Sequence, residues 1–581
     1  MNNYYSNEPD ILELVALLKA HNITKAVVSP GSTNISFAAS LLCDKDFTVY
    51  SCVDERSAAY MACGLAAETG EPIIISCTGA TAARNYPSAL TEAFYRKLPI
   101  VAVTSSQHFG RVGHYVPQVT DRTNPMNDIF VKSVHIPIAH SDEDKWSNNV
   151  KINDTLLEVR HNGGGPVHIN IETAFSKIFD IKKLPETRII RRVTIDDSFP
   201  RIDAQKIAIF VGAHPPFDEQ LTKSIDQFCK ENNAIVICDH TSNYKGEYRV
   251  LGGLVERQVG YSPSCRNFDL VIHIGEMSGA YYRFPKTNIW RVNVDGVIRD
   301  PFKGLSYVFE MSEQQFFDYY NSLDKKRGMT NTILNEWKEE EKKLFAALGE
   351  LPFSNPWIAQ QMAKDLPFGS VIHFGILNSL RMWNLFEIPS SVYGYCNVGG
   401  FGIDGSISTV LGASLADENK LYYLVLGDLA TFYDLNALGN RHFGSNIRIM
   451  VVNNGTGFEM RHRTNRGDVF KEDSDILFAA GGHFGNQSRK LLMDFVTNLG
   501  FEYISCETKK DVLDILPRYL SPEKYDKPIL VEVFVNVDDE YVAFEKTQNT
   551  IIASASLAKK TVKSIIGEKG VQTVKGILKK K

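Results

Sequence analysis

A doubly wound α/β architecture, repeated in three domains, is what this sequence predicts. Three observations carry that reading. Short apolar runs without polar alternation recur along the chain, as central strands of a parallel sheet covered on both faces require. Helix-forming stretches separate these runs, so strand and helix alternate. And 581 residues exceed what a single hydrophobic core holds, which divides the chain into about three domains.

The first domain, residues 1–183, opens with a helix over Ile11–His21 and a strand over Ala26–Ser29, closed by Pro30-Gly31-Ser32. An apolar stretch Ile35–Leu42, a strand Thr48–Cys52, a helix Ser57–Glu68, a strand Ile73–Cys77, a helix Ala89–Tyr95 and a strand Ile100–Thr104 follow. The second domain, 184–348, has strands expected at Ile207–Val211, Ala234–Cys238, Leu270–Ile274 and Trp290–Val294. No G-x-G-x-x-G lies between any strand and helix there, so a dinucleotide site lacks its phosphate-binding turn and the domain reads as a spacer. The charged stretch Lys325–Leu344 reads as a connecting helix. The third domain, 349–545, contains a βαβ unit built from the apolar runs Leu421–Leu426 and Ile447–Val452. Beyond it lies a basic tail, 546–581, whose stretch Ser554–Lys581 holds eight lysines against one glutamate. Gly567, Gly570 and Gly576 interrupt any apolar stripe in the tail, so a solvated basic end is expected in preference to docking on a membrane surface.

Composition narrows the class. A 44% hydrophobic and 23% charged content is an ordinary globular balance, and a net charge of −5 implies no general affinity for nucleic acid. The N-terminus lacks a basic start and its apolar face is interrupted by Glu13, so it reads as a first helix and not as a signal peptide. No apolar run approaches the length of a membrane span. The nine cysteines are scattered without a C-x-x-C pair, which suggests neither a zinc site nor a disulfide framework and fits a reducing cytoplasm.

Chemistry enters at the two strand ends of the βαβ unit. After the first strand comes Gly427-Asp428-Leu429, and after the second Asn453-Asn454-Gly455. Carboxyl ends of neighbouring parallel strands share one edge of a sheet, so a carboxylate and a carboxamide converge there. Taken alone, either half reads as a turn. Paired at this spacing, they offer hard oxygen ligands suited to Mg²⁺ that keeps its remaining positions for phosphate and water. The pattern resembles the thiamine-diphosphate signature. Activation of that cofactor needs a second part, a buried carboxylic acid that stabilises the imino tautomer of the aminopyrimidine. Glu55, in the stretch VDERSAAYMACGLA, follows a strand and precedes a helix of small residues; burial is expected to raise its pKa. By itself it also suits a helix N-terminal acid beside Asp54 and Ser57.

With both parts present, the chain resembles thiamine-diphosphate enzymes of the pyruvate-oxidase and decarboxylase type, built from a pyrimidine-binding, a central and a diphosphate-binding domain. Within that group it is most similar to the menaquinone-pathway synthases that make 2-succinyl-5-enolpyruvyl-6-hydroxy-3-cyclohexene-1-carboxylate. The matching stretches are SPGS (Ser29–Ser32), VDERSA (Val53–Ala58), CTGATAARNYPSALTEA (Cys77–Ala93), NSL (Asn378–Leu380), GIDGSIST (Gly402–Thr409) and GDLATFYDLNAL (Gly427–Leu438). The resemblance implies Asp428, Asn454 and the carbonyl of Thr456 as Mg²⁺ ligands. It implies Gly402 and Ile403 at the bend of the cofactor, with Ile403 as the apolar wedge, and Asn378, Ser379, Gly427, Leu429 and Ala430 lining thiamine and diphosphate. It further implies a homodimer or homotetramer whose sites lie between subunits, each Glu55 serving its neighbour.

The substrate side departs from the family pattern. Arginines that hold the carboxylates of 2-oxoglutarate and isochorismate in the synthase are absent. Thr33 and Asn34 follow SPGS, Val398 follows Asn397, Trp383 stands four residues after Ser379, and Gln107 follows the strand ending at Thr104. Each charged hydrogen bond lost costs about 1.5 to 3 kcal/mol, so four such losses remove recognition of those acids. Replacement candidates are Thr33, His114, Gln118, Arg381, Arg461 and Arg463. The leading expectation is a thiamine-diphosphate- and Mg²⁺-dependent decarboxylase or carboligase acting on another 2-oxo acid, with an acceptor for the acyl-anion equivalent left open. The synthase itself and a non-catalytic cofactor-binding subunit are the alternatives.

Overall fold

The computed structural model describes residues 4–123, 125–280, 282–323, 331–462, 465–482 and 488–551. They fall into two units: 1–199 with 294–310, and 200–293 with 311–581. The basic tail beyond 551 and the start of the expected connecting helix at 325–330 lie outside the described residues.

The first unit is built on six parallel strands: β1 (Lys25–Val28), β2 (Thr48–Ser51), β3 (Ile73–Thr78), β4 (Ile100–Ser106), β5 (Lys132–Ile136) and β6 (Val167–Glu172), in the order β2-β1-β3-β4-β6-β5. Helix α1 (Glu55–Thr69) packs on it because Ala58, Ala59, Ala62, Cys63 and Ala66 put small side chains on one face, which lets the helix approach the sheet closely. Asp54 caps it by accepting the Ser57 N–H at 2.9 Å, and Gly70 ends it with φ +67°. The unit also contains a parallel pairing of Arg191–Val193 with Leu305–Phe309.

The second unit carries two parallel sheets. One has the strands β7 (Ile207–Val211), β8 (Ala234–Cys238), β9 (Arg249–Leu251), β10 (Leu270–Ile274) and β11 (Asn288–Val292) in the order β9-β8-β7-β10-β11. The other has β12 (Val371–Phe374), β13 (Tyr393–Cys396), β14 (Tyr422–Gly427), β15 (Ile447–Asn453), β16 (Glu502–Cys506) and β17 (Ile529–Phe534) in the order β13-β12-β14-β15-β17-β16. His240, just past β8, ties the two sheets together: its Nε2 lies 2.9 Å from the Trp383 carbonyl and 3.0 Å from that of Phe386, and burial pushes its pKa down to about 3. The neutral ring donates that hydrogen.

The expected α/β class with mostly parallel sheets is the class observed, with differences in detail. The strand expected at Trp290–Val294 runs over Asn288–Val292, because pairing with β10 begins at Asn288 although that side chain is exposed. Strands β5, β6, β9, β12, β13, β16 and β17 were not anticipated. In β6 the polar His168, Asn170 and Glu172 mask a fully buried strand; they are satisfied by Thr104, Ser106, His135 and the Phe109 N–H. The helical stretch after β14 is two pieces, α4 (Asp428–Tyr433) and a 3₁₀ turn Leu435–Gly439. Helix α3 (Ser406–Ser414) causes the break, since the Asp434 carboxylate between them accepts the Ser408 N–H at 2.6 Å and its hydroxyl at 2.7 Å. Among the described residues no helix is long and apolar enough to cross a membrane, and all nine cysteines are unpaired.

Candidate active site

Strands β14 and β15 are buried along almost their whole length, and their register pairs Gly427 with Val452. Asp428 and Asn454 therefore leave the sheet at one edge, as the spacing required. Asp428 is 1% exposed at the start of α4. Asn453 turns back into the sheet, where its Nδ2 donates to Glu532 Oε1 at 2.7 Å. Asn454 turns outward, and its Oδ1 accepts the Thr456 N–H at 3.2 Å, an Asx turn that aims the loop. The Thr456 carbonyl accepts from Phe458 N at 3.0 Å and keeps a second lone pair. A cleft lined by Phe353, Asn454, Phe534, Asn536 and Asp539 opens beside this turn.

Among the described residues there is no group of three or more His, Cys, Asp or Glu that could hold a metal ion. The edge offers instead one carboxylate, one carboxamide and one backbone carbonyl. That all-oxygen set of low charge suits Mg²⁺ bound together with phosphate. A Cβ built on Gly427 would meet nothing within 4 Å, so open space lies in front of the turn.

Helix α2 (Asn378–Trp383) supplies the next side of the site. Leu377, immediately before it, is held at φ +72°, a conformation costly for a branched side chain and found where surrounding structure over-determines it. The Asn378 Oδ1 is buried with no hydrogen-bond donor among the described residues, an acceptor that a cofactor N–H would satisfy. Ser379 Oγ accepts from Asn355 Nδ2 at 3.2 Å, and Asn355 Oδ1 accepts the Trp383 indole N–H at 3.1 Å. Asn355 N in turn donates to Glu540 Oε1 at 2.7 Å. Glu540 stands in helix α5 (Val537–Gln548), and burial pushes its pKa up to about 7 against the pull of Asn355 and Asn378, with Asp428 adding to the rise. Sequence reasoning missed Glu540 because Asp538, Asp539 and Glu540 look like routine acids of a helix start. Gly402 and Ile403 precede α3; Ile403 is half-buried against the core that includes Leu426 and Ala430. Leu429 is half-buried and Ala430 buried beside Asp428.

In the other unit, Glu55 opens α1. It is half-buried, where a buried acid was expected, and its Oε2 accepts from Asn85 Nδ2 at 3.0 Å. Two apolar side chains of the same stretch are exposed, Val53 at 81% and Tyr60 at 47%. Thr33 is buried; its hydroxyl bonds Thr78 Oγ1 and donates to the Ser105 carbonyl at 3.1 Å. Gln118 has φ +61° and its side chain rests on Gly79. His114 is exposed and only its backbone is engaged, bonding Arg111 O at 3.3 Å.

The basic candidates come with carboxylates. Arg381 Nη1 lies 2.6 Å from Glu459 Oε1, with side-chain exposures of 9% and 17%. His462 Nε2 approaches the same Glu459 oxygen at 3.3 Å. Arg461 pairs with Asp475 at 3.3 Å. Arg463 lies outside the described residues. Trp383 is a fully buried core residue.

Residues 13–125 match the family described as thiamine pyrophosphate enzyme, N-terminal TPP binding domain. The 2-succinyl-5-enolpyruvyl-6-hydroxy-3-cyclohexene-1-carboxylate synthase of Bacteroides fragilis is 32% identical over 576 residues, covering 92% of this chain and 97% of that protein. The chain belongs to the thiamine pyrophosphate enzyme family. The synthase of the same name from Bacteroides thetaiotaomicron is 30% identical over 562 residues, with coverage of 92% and 97%. Among solved structures, a thiamine diphosphate-dependent 4-hydroxybenzoylformate decarboxylase of Rhodococcus jostii RHA1 matches at 16% identity and a TM-score of 0.38, over 91% of this chain and 99% of that one. This thiamine pyrophosphate enzyme thus matches the synthases along nearly its whole length.

Proposed function

We propose that this enzyme performs the reaction for which its synthase relatives are named: it decarboxylates a 2-oxo acid, 2-oxoglutarate, and joins the acyl-anion equivalent to isochorismate. The observation that carries the reading is the shared edge of β14 and β15, where Gly427 pairs with Val452, one residue before Asp428 and two before Asn454. Asp428, Asn454 and the Thr456 carbonyl would hold Mg²⁺, a metal suited to anchoring a diphosphate. The Gly427–Ala430 turn, Asn378 and Ser379 line the cofactor, and Ile403 is its apolar wedge. Bound thiamine diphosphate supplies the electron sink that makes loss of CO₂ from a 2-oxo acid feasible. Glu55 holds a proton at its carboxyl next to the pyrimidine ring of the cofactor, and the exposed apolar side chains of its stretch support a homodimer in which a second copy covers that acid and excludes water. The functional unit is a homodimer or homotetramer, and the pyrimidine-binding, central and diphosphate-binding domains span 1–183, 184–348 and 349–545.

A second reading keeps the chemistry and changes the substrate. It is favoured by the buried Thr33 and Trp383, and by Gln107, whose Oε1 accepts from Arg111 Nη1 at 2.6 Å. These positions do not offer the guanidinium groups that two dianionic substrates call for. Incubation with thiamine diphosphate, Mg²⁺, 2-oxoglutarate and isochorismate, read by mass spectrometry, separates the readings. The named product supports the first. CO₂ from other 2-oxo acids, with no product from that mixture, overturns it in favour of the second; bound cofactor with no CO₂ from any acid overturns both.

A further inference from the structure

Arg122 stands at the carboxyl edge of the first sheet. Its Nη1 donates to the Gly79 carbonyl at 2.9 Å and its Nη2 to the Ser105 carbonyl at 3.0 Å. Those acceptors are neighbours, because β3 and β4 pair Thr78 with Ser105. Two of the five guanidinium N–H groups are thereby used. The Nε–H and the second N–H of each terminal nitrogen are not used by these two bonds.

Among the described residues no carboxylate pairs with Arg122, and Arg84 repels it. Burial is the main influence lowering its pKa. A half-buried cation fixed by neutral carbonyls is a costly arrangement unless an anion completes it.

Two other polar groups share this cradle. Thr33 Oγ1 and the Arg122 guanidinium use the same Ser105 carbonyl. The Gln118 side chain packs on Gly79, where φ is +48° and an added Cβ would lie 2.5 Å from Gln118 Oε1, so only glycine fits. The guanidinium thus reaches, from a distant sequence position, the edge where Thr33 and Gln107 stand in place of arginines.

We propose that Arg122, with Thr33 and Gln118, forms a carboxylate-binding subsite that fixes an acidic substrate at the carboxyl edge of β3 and β4. This rests on taking that edge as the substrate side in the proposed function. The planar fork is suited to a carboxylate, which it can take through two parallel hydrogen bonds.

The test is binding without turnover. Calorimetry on the cofactor-loaded full-length protein at low salt uses glutarate as an unreactive stand-in for a dicarboxylate donor, benzoate for a cyclic acceptor and butyramide as an uncharged control. In R122Q the affinity for the acid that binds falls about ten-fold or more, R122K keeps an intermediate affinity, and butyramide binds no differently among the three proteins. Loss with glutarate assigns the subsite to the donor, and loss with benzoate to the acceptor. A guanidinium that only clamps the loop would shift all three probes together or none. Equal acid affinity in wild type and R122Q, or no acid binding to wild type, overturns the proposal. Absence of CO₂ from every 2-oxo acid while acid binding still depends on Arg122 would fell the proposed reaction and leave this subsite standing.

Discussion

The Arg381–Glu459 pair offers the sharpest test of how the cofactor side is held. The two side chains meet at 2.6 Å with 9% and 17% exposure, and His462 shares the carboxylate at 3.3 Å. At an effective dielectric near 20 and this separation the gross attraction is about 6 kcal/mol, which bounds the coupling from above. Breaking a buried pair from one side typically costs about 3 to 5 kcal/mol, since the survivor is left uncompensated. Here His462 still compensates Glu459 in R381M, so about 2 to 3 kcal/mol is expected, and E459Q should cost a similar amount. The double variant removes both charges and should return to within about 1 kcal/mol of wild type, a coupling of about 3 to 6 kcal/mol. Urea denaturation followed by fluorescence measures all four proteins. Burial raises the Glu459 pKa, but His462 and Arg381 hold it below the ordinary carboxylate value. Stability from a depressed acid is present above its unfolded pKa and is lost as pH falls through the folded one. The penalty of R381M should therefore shrink as the pH drops below about 4. Strictly additive single costs would show that the pair does not act as a unit and refute the reasoning.

Asp428→Ala should weaken Mg²⁺-dependent binding of thiamine diphosphate by more than the roughly 10- to 100-fold that loss of a supporting group costs, and undiminished binding in a fluorescence titration would remove Asp428 from the metal. Glu55→Gln should retain the cofactor yet slow C2 proton exchange by roughly 100- to 10,000-fold in an NMR exchange experiment; an unchanged rate would cancel its assigned role. Trp383→Ala should cost about 3 to 5 kcal/mol by denaturation, because the indole is fully buried and its N–H is bonded to Asn355; a loss under 1 kcal/mol would mean the site is loosely packed. Burial pushes Glu256 from an ordinary 4.5 up to about 7 against the pull of Arg266. The folded state then holds a proton that the unfolded state has lost, so stability falls as pH rises from 4.5 to 7, and E256Q should gain up to about 3 kcal/mol relative to wild type at pH 8 but nothing near pH 4.5. A gain that does not vary with pH would contradict it.

The parallel strands of this protein were legible where burial coincides with unbroken apolar sequence. Ile207–Val211 and Leu270–Ile274 were read without error, and the ends of β14 and β15 put Asp428 and Asn454 where the spacing required. Strand β6 was not legible, because its buried His168, Asn170 and Glu172 are satisfied only by partners distant in sequence. The same blindness hid Glu540, which binds Asn355 across 185 positions, and Arg122, whose guanidinium reaches carbonyls 43 and 17 positions away. Local pattern reports what a residue is, and only the folded chain reports what it meets. Arg381 shows the converse: its charge was visible in the sequence, and its neutralisation by Glu459 was not.

Asn355 touches Ser379, Trp383 and Glu540 at once. Helix α2, which borders the proposed cofactor site, and helix α5, near the C-terminal end of the described chain, are thereby fastened to a single carboxamide residue. Damage at the end of the polypeptide, such as a nick or a poorly chosen truncation before α5, would be felt at the catalytic centre as a slackened wall, even though none of the residues cut away need ever contact a reactant.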